Sequence, residues 1–525
     1  MNTKYLKAKI LDLAIRGKLV PQDPSEGNAA DLLQKIRDEK AELIKQKKLK
    51  EDKKSSLIIK ADDGKYYEQF IDGSSIDIED EIPFEIPENW YWCRLREITT
   101  ILGDGLHGTP KYNKNGDYYF INGNNLENGK IIIKSDTQKV DDTEYQKYKK
   151  ELNDNTVLVS INGTIGNIAF YNNEKIILGK SACYFNLISP SFKNYIYLLI
   201  KTSFFLVYAT TNATGSTIKN VSLDTMRNFL LPLPPLSEQQ RIVSAIKKAF
   251  EQIDIIEKNK LNLKTYIKQT KSKVLDLAIH GKLVEQNPKD GNAFELLEKI
   301  RKEKSDLIKQ KKLKEDKKSS FIIKAEDGKN YEQFVDGTLK DIEDEIPFEI
   351  PENWSWCRLR EIGNWQSGCT PDKSRKDFYD KADIPWLNSG DLTDSYIETI
   401  PHYVSQIAFN EKKMKLNDAG SVCIAMYGAT IGKLGILTKP ATTNQAVLVC
   451  NKLHLSDSKY LFYFLKSHKK EYTQAGFGGA QPNISKEKVE PTLFPLPPLA
   501  EQKRIVKKIE QIFEQLDILE KSLGE

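Results

Sequence analysis

PPLSEQQRIVSAIKKAFEQIDIIEKNKLNLKTYIKQTKSKVLDLAIHG, residues 234–281, decides how this chain is read. After the proline pair, Ser237 and Gln240 have the spacing of a capping box, and no further proline or glycine occurs until Gly281, so one long helix is expected. Its apolar residues Ile242, Ile246, Ala249, Ile253, Ile256, Leu263, Ile267, Val274 and Leu277 fall at steps of three and four, interrupted only by Lys260 and Thr270. That spacing is a coiled-coil seam and not the broad apolar face of a core helix. At 1.5 Å per residue the helix is roughly 60 Å long, enough to separate two domains.

Comparing the chain with itself shows what is separated. Leu11–Ile98 matches Leu275–Ile362 at a constant offset, with roughly 70 identities over those positions, far beyond chance for a pattern search. The helix start recurs as PPLAEQKRIV at 497–506, and Ile505, Ile509, Ile512 and Leu516 continue the same seam. Leu6, Ile10 and Leu13 stand before Gly17 as Thr270, Val274 and Leu277 stand before Gly281. The last and first helical segments therefore amount to a second copy of the long helix, cut in its middle. The expected fold is α/β: two globular mixed α/β domains separated by two long antiparallel coiled-coil helices, pseudo-two-fold symmetric, with a cyclic arrangement. The corresponding boundaries are 1–85 for an N-terminal half-helix and charged linker, 86–233 for a first globular domain, 234–349 for the central helix and a second charged linker, 350–496 for a second globular domain, and 497–525 for a C-terminal half-helix. Short apolar or alternating runs such as TVLVSI, separated by Asn-Gly pairs, supply strands and turns inside each globular domain. The flanks are nearly identical and the interiors are not, as if the interiors were the parts meant to differ.

Composition narrows the classes. The 525 residues carry a net charge of +5 with 29% charged side chains, so bulk charge neither demands nor excludes an anionic partner. Basic runs at Lys45–Lys54 and Lys309–Lys318 are each followed by an acidic run, which favours a solvated face over a nucleic-acid patch. The six cysteines are dispersed without a CxxC pair, as in a cytosolic protein with reduced thiols. MNTKYLKAKILDLAI is interrupted by charge and is no secretory leader, and the apolar window at Tyr195–Tyr208 is short and contains Lys201, so no membrane span is expected.

A catalytic centre is not found. Gly103, Gly105 and Gly108 spell GxGxxG, but Pro110 and an Asn-Gly pair come next where a dinucleotide loop needs a helix, and the repeat mate GNWQSG breaks the pattern. GATIGK at Gly428–Lys433 is one residue short of a phosphate loop, and its mate reads GTIGN. The histidines lack ligand spacing, so no metal is expected. What the diverged interiors share is a set of small turns bearing amides and hydroxyls. Gly108-Thr109-Pro110 pairs with Cys369-Thr370-Pro371, FINGNNL (120–126) with WLNSGDL (386–392), GTIGN with GATIGK, and GSTIKNVS (215–222) with GGAQPNIS (478–485). Such side chains can read base edges and hold phosphates, although turn chemistry alone also favours asparagine and glycine.

Taken together, PLPPLSEQQRIV and PLPPLAEQKRIV, the repeated EIPFEIPENW with WCRLREI, GTP or CTP, GTIGN or GATIGK, and QPNIS resemble the specificity subunit of type I restriction-modification enzymes, and the resemblance covers essentially the whole chain. It implies that each globular domain is a target recognition domain reading one half of a bipartite double-stranded DNA site. It further implies two modification subunits that bind S-adenosylmethionine and methylate adenine, and two restriction subunits that use ATP and Mg2+ to translocate and cut. The chain itself would hold no catalytic centre, cofactor or metal. On turn position, the expected DNA contacts are Thr109, Lys111, Asn122, Asn124, Asn125, Asn162, Thr164, Lys219 and Asn220 in the first domain. In the second they are Thr370, Lys373, Arg375, Asn388, Ser389, Tyr427, Thr430, Lys433, Asn444, Gln445, Gln481 and Asn483. Lysines and Arg375 would set affinity, amides sequence. The expected seam is Ile242, Ile246, Ile253, Ile256, Leu263, Ile267, Ile505, Ile509, Ile512 and Leu516. A standalone enzyme lacks its motifs, a scaffold has no use for polar turns, and an RNA binder would want aromatic platforms on an open sheet.

Overall fold

The structure, a computed structural model, describes residues 2–313, 315–316, 319–475 and 484–524. It contains two compact units, Met1–Asn259 and Lys260–Glu525, and the division falls inside one uninterrupted 44-residue helix, Leu236–Ile279. Each unit is mixed α/β and closes on itself in the same way. A helix leads in, a conserved frame and a variable insert come next, and a helix leads out antiparallel to the first.

In unit 1 the incoming helix is Thr3–Ile15 and the outgoing one is the first half of the central helix. Lys7 Nζ lies 2.7 Å from Asp254 Oδ1, while further along Gln22 Nε2 donates to Glu238 Oε1 at 2.7 Å, which fixes the antiparallel sense. Leu11, Ala14, Ile242 and Ile246 pack there with Trp90 and Tyr195. In unit 2 the incoming helix is the second half of the central one and the outgoing helix is Leu499–Gly524. Lys271 contacts Asp517 and Glu520, Gln286 Nε2 donates to Glu501 Oε1 at 2.7 Å, and Val274, Ala278, Ile505 and Ile509 share one core.

The seam is buried at Ile242, Ile246, Ile253, Ile267, Ile505 and Ile509 and half-buried at Ile512 and Leu516. Ile256 and Leu263 depart from expectation at 37% and 42% exposed. The cause lies within each unit. The helix facing Asp254 and Glu257 begins at Thr3, and the helix facing Lys271 ends at Gly524, so the middle of the central helix outruns its in-unit partners.

The helix start is also built differently from a capping box. The helix begins at Leu236, and Ser237 and Gln240 make no side-chain hydrogen bond among the described residues, while Ala500 and Lys503 hold those places in the second copy. The glutamates and glutamines between them do the holding. Gln239 Nε2 caps the Pro234 carbonyl and Gln502 Nε2 the Pro497 carbonyl, both at 2.9 Å. Glu238 and Glu501 are fully buried; Glu238 accepts from Gln22 and from Trp90 Nε1 at 2.9 Å, and Glu501 from Gln286 and from Asn353 Nδ2 at 3.2 Å.

The expected charged linkers are folded. In unit 1 a helix, Ala29–Lys45, precedes a three-stranded antiparallel sheet of Ser56–Lys60, Tyr66–Phe70 and Ser75–Asp77. Unit 2 repeats both as Ala293–Lys309 and the strands Ser320–Lys324, Asn330–Phe334 and Leu339–Asp341. The sheets carry buried Ile58 and Ile322 against Trp92 and Trp356. They also carry an ion pair out of water. Arg94 is 2.7 Å from Glu68 and Arg358 2.6 Å from Glu332, all four side chains less than a tenth exposed. Burial pushes the Glu68 and Glu332 carboxyls up, but the hydrogen bonds and charge of the arginines, with Ser56 and Ser320, outweigh it and leave both below the usual glutamate value. A carboxyl whose pKa is depressed in the folded state lends stability fully above its unfolded pKa and loses it as pH falls through the folded one. We therefore expect thermal melting temperature to hold from neutral pH down to about 4.5 and then to fall steeply, and Glu68→Gln to flatten that fall.

Each insert is a central sheet, antiparallel except that strand 395–397 of unit 2 runs parallel to 434–437, with a smaller sheet beside it. In unit 1 the order is 168–170, 156–160, 182–187, 99–104, with a second sheet of 176–178, 118–121 and 139–140. In unit 2 it is 363–367, 447–453, 422–425, 434–437, 395–397, beside 403–404, 384–387 and 442–443. The apolar window at Tyr195–Tyr208 folds as two short helices, Lys193–Ile200 and Ser203–Thr211, and no described helix is long and apolar enough to cross a membrane.

Candidate nucleic-acid interface

In unit 1 the loops at the ends of the sheet strands converge. Asn122 caps a single turn over residues 123–125 and accepts from Ser181 Oγ at 3.0 Å, and that same hydroxyl accepts from the Gly123 amide at 2.9 Å. The segment at Gly179 is pressed so closely to this turn that a Cβ there would stand 2.2 Å from Asn122 Oδ1, which demands glycine. On its other side it bridges to Leu106, at the root of the loop that carries Thr109 and Lys111. The turn after strand 156–160 joins the same rim. Asn162 Nδ2 donates to Asn220 Oδ1 at 3.1 Å, and the Gly163 amide donates to the Lys219 carbonyl at 3.2 Å. Thr109, Lys111, Asn124, Thr164, Lys219 and Asn220 are exposed on these loops, and Asn122 and Asn162 are half-buried.

Asn125 is not available to a base. It is 4% exposed, and its Nδ2 donates to the Ile132 carbonyl at 3.0 Å and to Thr137 Oγ1 at 3.2 Å, while its Oδ1 accepts from the Asn122 amide. It builds the turn and does not face out from it.

Unit 2 reaches the same arrangement from a different sequence. Asn388 caps the turn at residues 389–391, with Asp391 in the place of Asn125, and Asn444 Nδ2 donates to Asn388 Oδ1 at 3.0 Å. Thr370 Oγ1 hydrogen-bonds Gln445, which also contacts Tyr427, whose hydroxyl burial pushes up. The turn at Gly428–Thr430 and Lys433 come directly after. Ser389, Tyr427, Thr430, Asn444 and Lys433 are half-buried and Gln445 and Lys373 exposed. Arg375 is exposed but engaged. It forms a fork with Asp377 at 2.8 and 2.6 Å and reaches Glu411 at 3.4 Å, so a phosphate there would compete with two carboxylates. Gln481 and Asn483 lie outside the described residues.

Two residues at the centre of the unit 1 rim are absent from the expected set, exposed Lys180 and half-buried Ser181. The backbone bonds of this segment match those around Asn444, the Gly179 amide donating to the Ile121 carbonyl as the Asn444 amide donates to that of Leu387, so Lys180 and Ser181 flank the place where the second insert has Asn444 and Gln445.

Nothing in the rim is arranged for covalent chemistry. Gly103 belongs to the end of strand Thr99–Asp104 and Gly105 follows it, and the next α-helix begins only at Asp142, so GxGxxG does not open a helix as a phosphate-cradling loop must. Among the described residues no cluster of histidine, cysteine or carboxylate could hold a metal. Cys93, Cys183, Cys357, Cys423 and Cys450 are buried thiols pushed up by desolvation, which disfavours the thiolate.

The family model described as the type I restriction modification DNA specificity domain matches residues 87–265 and again 351–525. Over 592 aligned residues the chain is 27% identical to the type I restriction enzyme EcoEI specificity subunit of Escherichia coli, covering 99% of this chain and 90% of that protein. The EcoAI specificity subunit of the same organism is 26% identical, over 97% of this chain and 89% of its own length. Among solved structures, the HsdS subunit from Thermoanaerobacter tengcongensis superposes with a TM-score of 0.50 at 18% identity, covering 85% of this chain and 94% of that one, a likeness of fold.

Proposed function

Because the chain belongs to the family of type I restriction-modification specificity subunits, non-catalytic components that work with partner subunits, we propose that its two inserts each read one half of a bipartite double-stranded DNA site. The target recognition domains are then residues 86–233 and 350–496, and the segments 1–85, 234–349 and 497–525 form the shared frame. Adenine methylation and DNA cleavage fall to two modification and two restriction subunits, which bring S-adenosylmethionine, ATP and Mg2+, in the cytoplasm where the host DNA lies. One observation carries the reading: among the described residues, two inserts of dissimilar sequence each bring matching turns to a rim of their own unit, held at the same place by Asn122 and by Asn388. A scaffold would have no reason to keep polar turns in register while everything around them diverged.

The exposed apolar residues at the middle of the central helix are the proposed docking surface for the modification subunits. They are Ile255 and Ile256, on the part of the helix that belongs to unit 1. An apolar stripe left uncovered on a helix is an interaction site more often than an ornament of the surface.

Asn124 is exposed and makes no hydrogen bond that the fold needs, so Asn124→Ala tests base reading cleanly. We expect it to leave melting unchanged and to weaken discrimination at one base pair of one half-site by about 1–3 kcal/mol. Fluorescence anisotropy of the assembled complex on cognate and single-substituted duplexes measures this. Equal affinity for cognate and random duplexes in the wild type would remove the reading altogether.

A further inference from the structure

Under the helix Ala29–Lys45 of unit 1 lies a cavity of about 510 Å³, walled by that helix, by strands Ser56–Lys60 and Tyr66–Phe70 and by the segment from Arg96 to Leu102. Its size suits a small organic molecule. Ile44, Leu57, Phe70 and Leu102 give it apolar walls. Lys40 and Arg227 in its wall are bonded to backbone carbonyls, but two arginines are less fully engaged. Arg37 is half-buried and makes no ion pair or hydrogen bond among the described residues. Arg96 is 7% exposed; one nitrogen donates to the Lys54 carbonyl at 2.8 Å, but its Nε has no acceptor. The one buried carboxylate, Glu97, is already taken by the Ser55 hydroxyl at 2.9 Å and the Ser56 amide at 3.0 Å. Glu51 and Asp52 also line the cavity but are exposed, where water screens them.

The second copy of the frame serves as an internal control. There Arg301, the repeat mate of Arg37, donates to Glu361 at 2.8 Å and to Glu298 at 3.0 Å, and its guanidinium lies 4.5 Å from the centre of the Phe321 ring. Among the replacements that separate the copies, three bear on these cations. Glu298 is Gln34 in unit 1, Phe321 is Leu57, and Glu490, whose charge acts on Arg360, aligns with Arg227, each standing three residues before its matched strand. Two carboxylates and one ring that neutralise and cover the cations of unit 2 are therefore missing from unit 1, and one of the carboxylates has become a further cation in the cavity wall. In frames otherwise almost identical, all three changes act in one direction.

We propose that this cavity is a binding site for a small organic anion, its carboxylate or phosphate held by the guanidinium groups of Arg37 and Arg96 and its apolar body against Leu57 and Phe70. A ligand anion supplies Arg37 with the acceptor that Arg301 finds in Glu361 and Glu298. Because the wall includes Arg227 and the start of strand Thr99–Asp104, occupancy bears on the base of the first insert and not of the second.

The test uses the full-length chain and 8-anilinonaphthalene-1-sulfonate, which joins one anion to an apolar body, with N-phenyl-1-naphthylamine as its uncharged counterpart. Fluorescence titration should give one saturable site for the sulfonate, with the amine at least about tenfold weaker. Leu57→Phe, which installs the residue of unit 2, and Arg37→Gln should each weaken the sulfonate about tenfold or more at unchanged melting temperature. No saturable site in the wild type, equal binding of the charged and uncharged probes, or undiminished binding in both variants would overturn the proposal.

Discussion

Removing residues 260–270 from the central helix should move the methylated DNA sequence instead of merely weakening it. Eleven residues are about three turns, so the deletion shortens the helix by roughly 16 Å while rotating its C-terminal half by only about 20°. If that helix sets the distance between the half-sites, the spacer contracts by about five base pairs, at 3.4 Å per pair. Affinity for the original sequence should fall toward the non-specific level, about a thousandfold or more. An eleven-residue insertion after Asn259, where the helix is exposed, should lengthen the spacer by a similar amount. The check is the set of methylated adenines in cells carrying each variant with the partner subunits. Methylation of the original sequence at the original spacing by both variants would mean that the helix is no gauge.

Replacing Glu238 by alanine should cost about 3–5 kcal/mol of unit 1 stability, the upper range for a point substitution. The carboxylate is fully buried and accepts from Trp90 Nε1 and Gln22 Nε2, with Asn89 Nδ2 at 3.4 Å. Alanine leaves the buried Trp90 Nε1 without an acceptor, at about 1–3 kcal/mol, opens a void where the carboxylate stood, and leaves Gln22 with only the Gly17 carbonyl. Glu238→Gln retains an acceptor oxygen and should lose less. Trp90→Phe added to Glu238→Ala should cost clearly less than the two changes summed, because the orphaned indole goes with the acceptor. Urea denaturation read by tryptophan-independent circular dichroism decides it, and full additivity would deny that the pair is coupled. Glu501→Ala should act alike on unit 2 through Gln286 and Asn353.

These residues also mark what the sequence discloses. The recurrence of Glu-Gln after each Pro-Pro-Leu is visible in the chain, but its reason is not, since Gln22 and Trp90 are distant in sequence and the spacing of Ser237 and Gln240 imitates a capping box. The seam is legible from its period at Ile242, Ile246, Ile505 and Ile509. Period alone does not say where a partner helix stops, which is why Ile256 and Leu263 are solvent-facing. The charge runs around Lys45–Lys54 conceal a small sheet whose strands are only five residues or shorter. Its burial depends on Arg94 meeting Glu68, a pairing no local pattern reveals. At the candidate interface the self-comparison pairs the turns capped by Asn122 and Asn388, which the structure holds in matching places, because turn chemistry is local. It cannot tell Asn125, turned inward to the Ile132 carbonyl, from Asn124 beside it, because that depends on which backbone groups fold back over the turn.

The central claim is that each insert reads one half-site independently, and exchanging one insert tests it most directly. Residues 99–229 are replaced by residues 363–492 of the same chain, so that both units carry the second reader, and methylated adenines are mapped by single-molecule sequencing in cells that also supply the partner subunits. The account predicts that one half of the recognised sequence stays as it was, that the other becomes its inverted copy, and that the spacer is unchanged. A sequence altered in both halves, or in neither, would contradict it.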